Sequence, residues 1–144
     1  SETLQMLVDE TKPSKNNDDK ISLNVKEAKY GKTNPKFLKA LFRVVIDDIE
    51  YEIFCVAKYV DYLKEQIERL SEASKYYDKM QHSKKDKDKE YYKNGVMMLL
   101  KNNETIDNFI SILFEYKEAL TVRTNKINGL YNEIKKIKKM KKTF

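Results

Sequence analysis

The sequence is poor in residues that break a chain and in residues that carry most enzyme chemistry. Its 144 residues include 3 Gly, 2 Pro, 1 Cys, 1 His and no Trp. Three isolated glycines cannot build a phosphate-cradling loop. A single Cys excludes an internal disulfide. One His and one Cys, far apart in the sequence, fall short of the several ligands of a zinc centre. A Ser–His or Cys–His nucleophile needs an ordered His held by a third group. His82 instead sits between Gln81 and Ser83 at the start of a charged stretch, where a solvated turn residue is expected. No run of about 18 uncharged apolar residues exists, so no membrane-spanning helix is expected. No signal peptide is read, although Ser1 in place of Met leaves room for a leader removed earlier. An enzyme is not expected, nor a cofactor or metal.

What the chain does contain is skewed. Lys, Asn, Ile, Tyr and Phe number 26, 11, 11, 10 and 6, whereas Ala and Arg number only 5 and 3. Residues with A/T-rich codons dominate, which implies an A/T-rich genome. Charged residues make up 36% and apolar residues 40%, but the apolar ones are periodic, unlike those of a disordered chain. The net charge of +6 is concentrated: residues 135–142 read KKIKKMKK, and without them the chain is close to neutral. A domain-wide nucleic-acid footprint would spread that charge over a face.

The expected fold class is all-α: one helical domain, an elongated bundle around an antiparallel helical hairpin. Residues 1–34 read as N-terminal segments and a linker. Residues 1–10 look like a short helix, 11–20 like a polar linker with Pro13, and 21–30 like a short helical or extended piece ended by Gly31. Thr33-Asn34-Pro35 is a helix start, because Asn or Thr accepts from the first free N–H groups and Pro lacks one. A long helix is expected over 35–82, on the order of 65 Å at about 1.5 Å per residue. Phe42, Ile46, Ile49, Ile53, Val56, Val60, Leu63, Ile67 and Leu70 advance by alternating steps of four and three, a heptad-like seam. Ser74 and Tyr77 are next in phase. Val45, Phe54, Cys55, Ala57 and Tyr59 widen the stripe, and Cys55, inside the apolar run Ile53–Ala57, is expected to be a buried reduced thiol. A charged loop is expected over 83–88. A segmented helix over 89–142 follows, with weak points at Gly95, Asn102-Asn103 and Gly129, Asn103 as a possible cap, and a polar gap at Thr121–Asn125.

Few groups invite a chemical reading. Asp47, Asp48, Glu50 and Glu52 crowd one helix, but bundle metal sites use inward Glu-x-x-His pairs. A solvent-facing acidic edge, paired with Lys elsewhere, is the expectation. The stretch KKDKDKE lacks the Gly and closing Glu of a calcium loop. Lys135–Lys142 suits the negative end of a helix dipole, or attraction to phosphate-rich or anionic lipid surfaces. Ile134, Ile137 and Met140 share a face there and fit either packing or a weak membrane contact. The tyrosine pairs are the best contact candidates. Tyr76 and Tyr77 precede the charged loop and Tyr91 and Tyr92 follow it, so a hairpin brings them to one end. They either plug the core or form a contact surface rimmed by Lys84, Lys85 and Lys87 that steers acidic partners.

The segments KKDKDKEYYKNG (84–95) and NNETIDNFI (102–110), within a Lys- and Asn-rich helical chain, resemble the small helical surface lipoproteins of Borrelia, including the factor H-binding lipoproteins of relapsing-fever species. The resemblance is one of composition over roughly residues 35–142. It implies a lipid-anchored bacterial surface protein of the adhesin or immune-evasion type, binding a host protein such as complement factor H. A cytoplasmic coiled-coil assembly protein that forms homo-oligomers is the alternative, and binding to nucleic acid or anionic membrane through Lys135–Lys142 is a third.

Overall fold

A computed structural model describes residues 34–143. The segments expected over 1–33 lie outside the described residues. The described chain is a helical bundle of three helices: α1 (Pro35–His82), α2 (Asp86–Leu99) and α3 (Phe109–Lys141). No strand occurs among the described residues.

Local chemistry explains the ends. Asn34 Oδ1 accepts from the Lys36 N–H at 3.2 Å, and Pro35 occupies the first helical position. At the far end of α1 the Ser83 hydroxyl donates to the Lys79 carbonyl at 2.7 Å, and the His82 ring lies 2.8 Å from the Asp78 carbonyl. The Lys79 carbonyl is one of the last four of α1, which the helix leaves open. The connection to α2 is only residues 83–85, shorter than the expected charged loop, because Asp86 and Asp88 suit the positive end of a helix and start α2 early.

By its contacts the chain divides into two compact units. The first takes residues up to Cys55 together with those from Lys126 onward. There Phe42, Ile46, Ile49 and Ile53 of α1 bury against Leu130, Ile134 and Ile137 of α3. Burying each such side chain is worth about 1.5–3 kcal/mol. Met140 packs on this cluster, so the apolar edge of the Lys-rich terminus is used for packing. The second unit, Val56–Asn125, is built on Leu70, Ala73, Val96, Phe109 and Leu113. In it α1 and α3 run antiparallel, since Tyr59 meets Arg123 and Tyr77 meets Phe109.

Two sequence expectations need correction. Cys55 is exposed. It sits two residues past the buried Ile53, about 200° round the helix, so the apolar run places it on the far side from the core. The seam also shifts: beyond Leu63 the buried positions are Gln66, Leu70 and Ala73, while Ile67 and Ser74 are only half-buried. A second neighbour causes this, because the end of α2 and the segment after it meet α1 there.

The glycines play different parts. A Cβ on Gly95 would lie 2.9–3.2 Å from the Tyr76 ring, so this glycine permits a close approach of α2 to α1. Gly129 faces open space and α3 passes through it unbroken, as it does through Thr121–Asn125. The break falls at residues 100–108. Asn103 takes a left-handed conformation (φ 71°), and Asn is one of the few residues besides Gly that tolerate it. Thr105, not Asn103, caps α3: the Asn108 N–H donates to Thr105 Oγ1 at 3.2 Å and the Thr105 N–H donates to Asn108 Oδ1 at 2.7 Å. This is a reciprocal capping box with Asn in the Glu/Gln position.

Candidate binding surface

The tyrosine pairs come together around the α1–α2 turn in the second unit. Tyr76 and Tyr92 have ring centroids 6.5 Å apart, and Tyr91 meets Tyr92 edge-on at 5.3 Å. Lys79 Nζ stands 5.9 Å from the Tyr92 centroid, within cation–π reach. Tyr77 turns away and packs edge-on against the fully buried Phe109 at 5.7 Å. The four rings are therefore unequal. Tyr76, Tyr77 and Tyr92 are half-buried and close the end of the core, while Tyr91 is 68% exposed. Lys84, Lys85 and Lys87 are all exposed beside them.

The surface extends further along α2 than the tyrosines indicate. Val96 is the one buried residue of α2. Opposite it, Met98 is 86% and Met97 is 52% exposed. The sequence did carry a signal for this. Lys87, Tyr91, Asn94 and Met98 follow steps of four, three and four, a stripe opposite Val96.

Beneath α2 lies a polar clamp with no local sequence signature. Arg69 Nη1 donates to Glu104 Oε1 at 2.6 Å and to the Leu99 carbonyl at 2.7 Å. Its Nη2 donates to Glu104 Oε2 and to Gln66 Oε1, both at 2.8 Å. The Lys101 N–H adds a bond to Glu104 Oε1 at 2.7 Å. One planar guanidinium thus joins α1, the last turn of α2 and the connecting segment, a use that suits Arg and not Lys. The hydrogen bond from Arg69 holds the Glu104 carboxyl below its ordinary range, and the same bond raises Arg69. Nearby, burial and a hydrogen bond with Tyr62 push the Tyr116 hydroxyl upward.

A second aromatic row crosses this unit. Tyr59 and Tyr62 stack at 5.9 Å, Tyr62 meets Tyr116 edge-on at 6.4 Å, and the Arg123 guanidinium lies 5.4 Å from the Tyr59 centroid. Its rings pack α1 against α3, although Tyr59 and Tyr62 keep 41% and 46% of their surface exposed.

The remaining charged groups are dispersed. Asp47, Asp48, Glu50 and Glu52 are exposed, and Glu52 pairs with Lys126 at 3.1 Å. Among the described residues no group of three or more His, Cys, Asp or Glu is placed to hold a metal ion. His82 lies 3.5 Å from the Asp78 carboxylate, with both side chains about three-quarters exposed. No helix among the described residues is long and apolar enough to cross a membrane. Comparison with family models, curated proteins and solved structures found no match.

Proposed function

We propose that this chain is a non-enzymatic, surface-exposed binding protein of the adhesin or immune-evasion type, contacting a host protein such as a complement regulator through the α1–α2 end. The observation that carries the reading is Tyr91, a 68% exposed ring seated on Tyr92 with exposed lysines around it. Tyr offers large contact area at low entropy cost and is enriched among residues that dominate binding energy. The resemblance to Borrelia surface lipoproteins supports the class and a lipid-anchored place on a bacterial surface. The self-association alternative rested on the α1 seam, yet Ile49, Leu63 and Leu70 of that seam are buried within the chain by its own helices.

The test is retention of host proteins from serum by the immobilised chain, compared with Tyr91→Ala. The expected outcome is a defined host protein held by the wild type and lost from the variant. If serum yields no retained protein, the reading fails. Sedimentation of the free chain addresses the alternative, which predicts concentration-dependent dimers.

A further inference from the structure

We infer that the outward face of α2 is a docking strip for an acidic protein segment that inserts an apolar or aromatic side chain between Tyr91 and Met98. This rests on the proposed binding role and names the chemistry of the partner. The strip is Lys87, Tyr91, Asn94 and Met98, which share one side of α2 and are all exposed. Such a ridge, led by a methionine 86% open to solvent, loses hydration cost when covered. Met adapts to irregular apolar shapes and the Tyr ring is stiff, so together they accept an apolar side chain without a preformed pocket.

Charge selects the partner. Over residues 84–93, Lys84, Lys85, Lys87, Lys89 and Lys93 stand against Asp86, Asp88 and Glu90, an excess of two positive charges. Asp86 and Asp88 lie in the first turn of α2, where the helix dipole already answers much of their charge. The field near Tyr91 is therefore more positive than the count suggests. An acidic segment gains faster encounter, and its apolar side chain supplies the residence time.

The probes are a random glutamate–tyrosine copolymer, polyglutamate of equal length, and heparin, each bound to the full chain and followed by fluorescence anisotropy. The copolymer is expected to bind about tenfold more tightly than polyglutamate, the size of effect one aromatic anchor gives. Met98→Gln, at an open position, is expected to keep the helical signal and shrink that gap severalfold. Lys84→Gln with Lys87→Gln is expected to weaken both polypeptides alike and flatten their salt dependence. The inference is overturned if the two polypeptides bind equally, if Met98→Gln leaves the gap intact, or if heparin, which has no apolar side chain, binds as tightly as the copolymer. Sedimentation showing a dimer that Met98→Gln dissolves would assign the strip to a second copy and overturn it too. Retention of a serum protein without copolymer binding would sink this inference and leave the binding role standing, and the converse result would sink the role alone.

Discussion

Replacing Glu104 by Gln isolates the contribution of one charge. The substitution keeps the side chain's size and one carbonyl acceptor, but it leaves Arg69 with no anionic partner. Side-chain exposures are 15% for Arg69 and 6% for Glu104, so water can do little to take over. Breaking a fully buried pair from one side costs about 3–5 kcal/mol. Arg69 keeps its bonds to the Leu99 carbonyl and Gln66 Oε1, which lowers the expected loss to about 2–3 kcal/mol. For a chain of this size that is a fall in Tm of roughly 8–12 °C. Urea unfolding followed by circular dichroism measures it, and a cycle with Arg69→Met separates pairing from the penalty of a stranded charge. The double variant Arg69→Met/Glu104→Gln is expected to recover part of the loss. The pH dependence has a definite sign. The folded carboxyl of Glu104 is depressed, so its contribution is present above the ordinary carboxylate range and is lost as pH falls through the depressed value. Glu104→Gln should remove that acid-side slope. A loss below about 0.5 kcal/mol, the size of an exposed ion pair, would refute the account of a buried clamp.

Three further outcomes are expected. Gly95→Ala and Gly129→Ala should move stability in opposite directions: the first overlaps the Tyr76 ring and loses about 1–2 kcal/mol, while the second meets open space and gains about 0.5–1 kcal/mol, both read from urea midpoints. Tyr116, whose hydroxyl is raised chiefly by burial, contributes stability below the ordinary phenol range that is lost as pH rises through its raised value. Tyr116→Phe should abolish this alkaline loss, seen in melting curves across pH. Cys55 should react with a thiol reagent in the native protein nearly as fast as in denaturant. Protection by more than about a hundredfold, the mark of a thiol that reacts only on opening, would contradict its exposed position.

The helical class was legible because it rests on periodicity. The four–three steps from Phe42 to Leu70 and the Asn34-Pro35 start are local signals, and local signals survive folding. Where the sequence misled, the cause was a neighbour that no window shows. Cys55 has apolar neighbours in sequence but solvent in space. Gln66 is buried because Arg69 turns towards Glu104, 35 positions away. Gly95 reads as a helix weakness until the Tyr76 ring is placed against it. The candidate surface was half legible. Tyrosine pairs on both sides of a turn had to meet, but which ring would stay outside depended on Phe109 and Gly95 claiming the others. Met97 and Met98 face outward because Val96 takes the inward position.

The slightness of α2's hold has a consequence for how the molecule opens. One fully buried side chain, Val96, the half-buried Tyr92 and Leu99, one close fit at Gly95 and one guanidinium at the Leu99 carbonyl secure fourteen residues. The amide hydrogens of α2 should therefore exchange with solvent through a local excursion that leaves α1 and α3 paired. The same excursion would let the Tyr91 and Met98 strip change its aspect without unfolding the rest.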